Sequence, residues 1–498
     1  MQTRITIDLM QKIPQNCETI FSIFCENNEY FKESEKLLDK FKESHFLGKS
    51  GDKKTLSQDN QIIIAIGAGS SANNANLFGF RKAIGKIISE AKEQNLQNIF
   101  VDIFLSESSD LNYIAYVFAE TAALALYSFE HIYSNQSFPQ KKMISVENIK
   151  LKFSSHKFEQ KTILSAIEKG IHRGQSLNYA RYLSDLPSNQ LRPKDLVTLA
   201  SEQLLKFKNI QTTLLNKSEL EKQGFGGIIA VGKGSIHEPY LAIFDYNPPN
   251  AKETVVVIGK GVTFDTGGYS IKGKKHHNEM KYDMSGAANV FSAAYIAAKE
   301  DIPIRIISMI VCVENTIGDH AQRPSDVYKA WNGKLVDVFN TDAEGRLILA
   351  DAIAFSASFA PKLIIDIATL TGGATQIAGN LAAIVCSNND QMIEKVKEAS
   401  ALAGEKFVHL EILPEATENI KGTVSDFTNM NNKWSEGAAT MHAAAFLQAF
   451  VPQNTDWLHL DIANVSENSR DNGYLATNCS SAYGARTIVN IIENLAKK

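Results

Sequence analysis

The stretch Asn340-Thr341-Asp342-Ala343-Glu344-Gly345-Arg346 sets two carboxylates and one guanidinium close together in the chain. Before it, residues 335–339 are apolar apart from Asp337, and after it, residues 347–359 contain neither glycine nor proline. This pattern predicts a strand, then the acidic run, then a helix. Because ligand sites in open α/β sheets lie beyond the carboxyl ends of strands, the run predicts a metal site in an α/β fold.

A purely structural interpretation of the same run is that Asp342 caps the following helix and Glu344 lies in its first turn, where carboxylates are favoured. A second cluster favours the metal site. Residues 255–258 form a β-branched run typical of a buried strand, and the segment that follows contains Lys260 and Asp265. A lysine and an aspartate are therefore expected at the end of a second strand.

A third segment adds another cation and another carboxylate. The loop 269–280 contains Lys272, and residues 281–286 lead into a helix predicted over 287–299, with Asp283 at its N-terminus. Taken by itself, Asp283 is explained by helix capping, and Lys272 by exposure of its charge to solvent. Taken together, the carboxylates suit two divalent cations, which prefer oxygen ligands. Without cations, mutual repulsion should raise some of the carboxylate pKa values.

These segments closely resemble the corresponding parts of the leucyl aminopeptidase family, the cytosolic dinuclear-metal exopeptidases. The resemblance covers about residues 175 to 495. The matching segments are 180–181, 186–189, 260–265, Lys272, 280–283, 314–315, 323–327, 340–346, 367–372 and 459–463.

The resemblance implies a role for each matching residue. The implied metal ligands are Lys260, Asp265, Asp283, Asp342 and Glu344, with Asp265 and Glu344 bridging the two ions. Lys272 and Arg346 are the implied catalytic cations, and neither is a ligand. A lysine binds a metal only as the neutral amine, so the pKa of Lys260 must fall when neighbouring cations are present.

The implied substrate-binding residues surround the first side chain of a peptide. They are Met280, Thr369, Leu370, Gly372, Ala463 and Ser466. The chain departs from the family pattern at Asn464, where glycine is usual, and at Ser466, where methionine is frequent. We therefore expect the far wall of the pocket for the first side chain to be more polar, and the preference for an N-terminal leucine to be weaker.

The implied activity is metal-dependent hydrolysis of N-terminal residues, leucine and others, from peptides by a water molecule activated by two metal ions. The implied cofactors are two divalent ions, Zn²⁺ and/or Mn²⁺, with Mg²⁺ or Co²⁺ as alternatives, and bicarbonate held by Arg346 as a proton shuttle. The resemblance also implies a homohexamer.

Two other functions fit part of the pattern. A catalytically silent relative could act as a scaffold or regulator, but all seven active-site positions are intact. A two-metal phosphoesterase would also cluster carboxylates, but it does not explain Lys260 and Lys272 at these spacings. The adjacent histidines His276 and His277 are interpreted as part of a surface loop rather than as metal ligands.

Composition is consistent with an intracellular enzyme. The chain has 498 residues, a net charge of −4 and five scattered cysteines. Nucleic acid is therefore an unexpected partner, and free thiols are expected in a reducing compartment. No signal peptide and no apolar run of membrane-spanning length is present in the sequence, so a cytoplasmic location without membrane contact is expected.

The fold is expected to be α/β with two domains. Residues 1–160 should form a smaller N-terminal α/β domain, 161–187 a linker helix, and 188–498 a catalytic metallopeptidase domain. In the catalytic part, predicted strands alternate with helices, which indicates a mostly parallel, helix-flanked sheet. Its predicted strands are 240–244, 255–258, 304–313, 335–339, 363–367, 383–386 and 457–462.

Overall fold

The computed structural model describes residues 5–14, 17–26, 37, 39–42, 45–58, 60–70, 77–104, 110–129, 146–154, 159–431, 437–469 and 472–497. The chain divides into two compact units, Met1–Tyr179 with Arg470–Cys479, and Ala180–Ser469 with Ser480–Lys498. Among the described helices, none combines the length and the apolar character that crossing a membrane requires.

The first unit contains a six-stranded sheet in the order β1-β6-β5-β2-β4-β3. Its strands are β1 (Thr6–Leu9), β2 (Thr19–Glu26), β3 (Lys53–Gln58), β4 (Gln61–Ser70), β5 (Asn98–Phe104) and β6 (Asn148–Ser154). All neighbouring strands are parallel except β3 and β4, so β3 forms an antiparallel edge. The helices that begin in this unit are α1 (Phe78–Glu93), α2 (Leu111–Ala125) and α3 (Gln160–Asp185).

Helix α3 occupies the region where the sequence predicts a long helix. Its role as a linker, and the domain boundaries at 160 and 188, stay predictions.

The second unit contains eleven of the described strands. They are β7 (Ile210–Leu215), β8 (Tyr240–Tyr246), β9 (Thr254–Asp265), β10 (Arg305–Asn315), β11 (Val327–Lys329), β12 (Leu335–Asp337), β13 (Leu363–Ala368), β14 (Ala383–Ser387), β15 (Phe407–His409), β16 (Phe427–Thr428) and β17 (Asp456–Asp461). The helices are α4 (Pro193–Leu204), α5 (Lys217–Gln223), α6 (Gly226–Gly232), α7 (Ser285–Lys299), α8 (Gly345–Phe355), α9 (Gly373–Ala378), α10 (Asp390–Ala403), α11 (Pro414–Asn419), α12 (Ala439–Gln448) and α13 (Ala485–Ala496). Short 3₁₀ helices cover Lys274–His276, Met280–Met284 and Ser356–Phe359.

Eight strands form the main sheet, in the order β15-β14-β17-β13-β9-β10-β8-β7. The four neighbours at its centre, β17, β13, β9 and β10, are parallel, and antiparallel pairs occur toward both edges. The apolar runs of β9 and β13 are buried, as expected for strands covered on both faces. The predicted two-domain α/β class is confirmed.

One predicted strand lies in a different sheet. Residues 335–339 were expected in the main sheet, but β12 ends at Asp337 and joins a three-stranded sheet with β11 and β16. The turn before β12 contains Gly333 in the left-handed region, at a φ of 89°. Because this turn is short, β12 folds back antiparallel on β11 instead of crossing to the main sheet.

Candidate metal centre

Strand β9 carries the first two predicted ligands. Asp265 is its last residue, whereas Lys260 lies inside the strand, so the expectation that both emerge at a strand end is wrong for Lys260. The neighbouring strand β10 fixes Asp265: Asn315 Nδ2 donates to Asp265 Oδ1 at 2.8 Å and also to the carbonyl of Thr341 at 2.9 Å. The amide of Gly267 donates to the same carboxylate oxygen at 2.8 Å. One asparagine thus joins the end of β9 to the segment that carries Asp342.

The Lys260 ammonium links three separate segments. Its Nζ lies 2.8 Å from Asp283 Oδ1 and 2.8 Å from Glu344 Oε1, and it donates to the carbonyl of Thr369 at 2.9 Å. A Cβ at Gly345 would lie 2.7 Å from Lys260 Nζ, so a side chain at position 345 would displace the end of the lysine from this position. Burial of Lys260 is almost complete, at 3% exposure.

Lys272 links the remaining carboxylates. Its Nζ lies 2.7 Å from Asp265 Oδ2 and 2.5 Å from Asp342 Oδ1. Carboxylate oxygens of Asp265, Asp342 and Glu344 all lie within 4.8 Å of one another. The structure therefore brings together all five predicted ligands and Lys272.

The capping interpretation of the acidic run is wrong. Glu344 occupies the N-cap position of α8, but no side chain caps that helix. Asp283 lies in the 3₁₀ helix before α7, and no side chain caps α7 either. Because these carboxylates leave the helix termini uncapped, their positions call for another explanation.

Four buried or half-buried carboxylates share this site with only two ammonium groups. Burial and the charge of Glu344 raise the pKa of Asp265 to about 7 and that of Asp342 to about 6. Burial also raises the pKa of Asp283 to about 8, although Lys260 opposes the shift. For Glu344, the attraction of Lys260 and Lys272 outweighs burial and lowers the pKa. Burial is the largest cause of the three raised pKa values, and the charge of Glu344 adds to each of them.

The lysine that is predicted to bind metal is held in its charged form by its neighbours. Burial alone would lower the pKa of Lys260, but the carboxylates of Asp283, Glu344 and Asp265 outweigh it and raise the pKa. The lowering that ligation requires therefore has to come from cations beside the amine.

The donor set fits hard divalent cations. Carboxylate oxygens dominate it, and the buried Oδ2 of Asp283 has no hydrogen-bond partner among the described residues. A buried acceptor without a partner is costly, and a cation or a ligand ammonium would satisfy it. Two divalent ions would also balance the four negative charges of the carboxylates.

Arg346 is buried and is not among the residues that line the cavity over the site. Its Nη1 donates to the carbonyl of Asn429 at 2.8 Å. Its Nε has no hydrogen-bond partner within the described part of the chain, which leaves a donor available for an anion. Burial lowers the pKa of Arg346 to about 10, against the attraction of Glu344 and Asp461.

A cavity of about 840 Å³ opens over these residues. All six predicted substrate-binding residues line it, namely Met280, Thr369, Leu370, Gly372, Ala463 and Ser466. His276 also lines the cavity from an exposed position, in agreement with the predicted surface loop.

Asn464 lines the cavity but is held by the backbone. Its Nδ2 donates to the carbonyls of Gly379 at 2.5 Å and Ala382 at 2.7 Å, and its Oδ1 is buried. These two carbonyls fix the orientation of the amide, because only Nδ2 can donate to them. The amide therefore fastens the turn after β17, which leaves Ser466 as the residue expected to add polarity to this side of the cavity.

Sequence reasoning missed several supporting groups. Asn315, the Thr369 carbonyl and Asp461 all contact the ligands or the loops beside them. One signal was available: Asp461 is a charged residue in a predicted strand whose other residues, apart from His459, are apolar, and a buried charge needs partners. The role of the Thr369 carbonyl has no sequence signal, since every residue carries one.

Comparison with known proteins places these features in a family. Residues 178–489 match the cytosol aminopeptidase family, catalytic domain, and residues 27–136 match the N-terminal domain of the same family. A probable cytosol aminopeptidase from Chlorobium phaeobacteroides is 34% identical over 432 residues, which cover 84% of each chain. One from Chlorobaculum tepidum is 39% identical over 336 residues, covering 66% of each.

Two solved structures resemble the whole chain. A mutant of tomato leucine aminopeptidase superposes with a TM-score of 0.85 at 25% identity, covering 99% of this chain and 97% of its own. The bottromycin maturation enzyme BotP in complex with Mn superposes with a TM-score of 0.83 at 25% identity, covering 96% and 100%.

Proposed function

The chain belongs to the cytosol aminopeptidase family, and from its aminopeptidase class we propose that it removes N-terminal residues from peptides, leucine among them, with two divalent metal ions. The observation that carries the proposal is the convergence of four carboxylates with Lys260 and Lys272 in one cavity. The Mn-containing relative BotP supports divalent metals as cofactors.

The residues that would hold the metal ions are Lys260, Asp265, Asp283, Asp342 and Glu344. Bound there, Zn²⁺ and/or Mn²⁺, or alternatively Mg²⁺ or Co²⁺, would supply Lewis acidity that polarises the scissile carbonyl and acidifies a water molecule.

The chain's own groups would orient the substrate around this centre. Asp283 Oδ2 is free to accept a hydrogen bond from the α-ammonium of the peptide, which would restrict cleavage to the N-terminus. The Lys272 ammonium would stabilise the negative charge that develops on the carbonyl oxygen. Burial would lower the pKa of Lys272, but the neighbouring carboxylates hold it above its usual value, which favours the charged form.

Arg346 is the proposed holder of a bicarbonate ion. Its buried Nε is an unused donor, and a planar guanidinium suits a planar anion. Held there, bicarbonate would supply a proton acceptor and donor close to the reacting groups.

The proposed pocket for the first side chain comprises Met280, Thr369, Leu370, Gly372, Ala463 and Ser466. Since Asn464 is fastened to backbone carbonyls, Ser466 is the residue expected to change specificity. A hydroxyl in place of a thioether removes apolar contact with a leucyl side chain. Preference for leucine should weaken without vanishing.

Assembly and location are further parts of the proposal. We propose a homohexamer of closed symmetry in the cytoplasm, without membrane or nucleic-acid partners, on the strength of the family resemblance and the net charge of −4. A monomer mass in light scattering under active conditions would contradict the assembly.

The function itself is tested by metal removal. We expect exhaustive chelation to abolish hydrolysis of leucyl-p-nitroanilide, and Zn²⁺, Mn²⁺ or Co²⁺ to restore it, because the carboxylates need cations to activate water. Activity that survives chelation would refute the mechanism. Hydrolysis of p-nitrophenyl phosphate alone would indicate a phosphoesterase. Metal binding without hydrolysis of any aminoacyl amide would indicate the scaffold or regulator.

Replacing Arg346 should separate catalysis from metal binding. We expect Arg346→Ala to keep both metals and to lower kcat by about a hundred- to ten-thousandfold, the range of a lost acid–base group. Glu344→Ala is the matched comparison, and it should lose metal and activity together. Bicarbonate should stimulate the wild type but not Arg346→Ala. Equal stimulation of both proteins would mean that Arg346 does not bind the anion.

Replacing Ser466 should change specificity. We expect Ser466→Met to raise the ratio of kcat/KM for leucyl over alanyl amides, because one added apolar contact is worth about 1 to 3 kcal/mol. Ser466→Ala is the control that removes the hydroxyl without adding length, and it should change the ratio less. An unchanged ratio in Ser466→Met would mean that residue 466 does not face the substrate.

A further inference from the structure

Asp461 ends β17 and is completely buried. Its Oδ1 accepts hydrogen bonds from the backbone amides of Leu370 and Ala463, both at 3.1 Å, and its Oδ2 accepts from Thr371 Oγ1 at 2.7 Å. The amide of Thr371 also points to Oδ1, at 3.5 Å. One carboxylate therefore joins the loop after β13 to the turn after β17.

The loop after β13, residues 369–372, contacts both parts of the active site, the metal centre and the cavity beside it. Its first residue faces the metal centre, where the Thr369 carbonyl accepts from Lys260 Nζ at 2.9 Å and Thr369 Oγ1 donates to Asp283 Oδ1 at 2.8 Å. Its remaining residues line the cavity. Two proposed ligands thus depend on the position of a loop that has neither helix nor strand structure where it meets them.

Support for this loop comes mainly from Asp461. A second contact joins the hydroxyls of Thr371 and Thr440 at 2.6 Å, and Thr440 belongs to α12. The strands below are in register, with Ala368 opposite Asp461. The sheet therefore fixes the position of the Asp461 carboxylate, and the hydrogen bonds of that carboxylate restrain the loop.

We propose that Asp461 is a positioning residue which, through the loop 369–372, sets Lys260 and Asp283 for metal binding and shapes the pocket wall at the same time. The inference rests on the proposed function. Groups that orient metal ligands without touching the metal commonly affect metal affinity by about ten- to a hundredfold. The same loop also supplies pocket residues, so a change in Asp461 should reach substrate selection as well.

The test compares two buried aspartates with the same kind of hydrogen bonding. Asp351 is also completely buried and accepts from the backbone amides of Gly227, Ile228 and Trp331, but it does not line the cavity. Each aspartate is replaced by asparagine in the full-length protein. Zn²⁺ affinity is measured by competition with a chromophoric chelator, together with the melting temperature and the ratio of kcat/KM for leucyl over alanyl amides.

We expect Asp461→Asn to weaken Zn²⁺ binding by about tenfold or more and to change the substrate ratio. Asp351→Asn should lower the melting temperature and leave both other quantities unchanged. If Asp461→Asn binds Zn²⁺ like the wild type, or if Asp351→Asn weakens binding equally, Asp461 has only a structural role and the proposal is overturned.

A second pair of variants decides the matter if Asp461→Asn does not fold. Thr371→Val keeps the shape of the side chain and removes the hydroxyl that Asp461 accepts from, whereas Thr371→Ser keeps that hydroxyl. We expect weaker Zn²⁺ binding in Thr371→Val than in Thr371→Ser, and equal affinities would overturn the proposal. A wild type that binds none of Zn²⁺, Mn²⁺, Mg²⁺ and Co²⁺ would refute the proposed function itself. That outcome is distinct from a wild type that binds Zn²⁺ and variants that bind it equally well.

Discussion

The structure of the catalytic unit depends on one electrostatic constraint, the concentration of four carboxylates around two ammonium groups in a buried site. Burying like charges costs free energy, and the raised pKa values of Asp265, Asp283 and Asp342 express that cost. Lys260 and Lys272 offset part of it by direct ion pairs. The remaining negative charge favours divalent cations at this site, and under the proposed function their binding to the folded state would stabilise it.

Three different parts of the fold deliver the four carboxylates and Lys260, and the loop after β9 delivers Lys272. The parallel centre of the main sheet supplies Lys260 and Asp265, a 3₁₀ helix supplies Asp283, and the segment between the small sheet and α8 supplies Asp342 and Glu344. Polar groups outside the ligand set hold the parts together. Asn315 joins β10 to Asp265 and to Thr341, and Thr369 joins the loop after β13 to Lys260 and Asp283.

The pocket shows how position decides the effect of a polar residue. Asn464 and Ser466 are the two polar residues at which the sequence is expected to depart from the family pattern. The Asn464 amide is used by two backbone carbonyls and so contributes rigidity, whereas Ser466 lines the cavity without a comparable restraint on its side chain from the described residues. The two residues therefore have different expected effects: Asn464 makes the cavity wall more rigid, whereas Ser466 affects the choice of substrate.

The sequence by itself determined the α/β class, the strands β9, β10 and β13, and the residues that converge at the site, because apolar periodicity and the spacing of charged residues are local properties of the chain. It misassigned β12, since pairing with β11 depends on a turn and on sheet partners distant in the sequence. Only the tertiary structure decided that Lys260 lies inside its strand, that Gly345 makes room for its ammonium, and that Asp461 supports the loop beside it. Those facts follow from contacts between residues far apart in the chain, and no local pattern encodes such contacts.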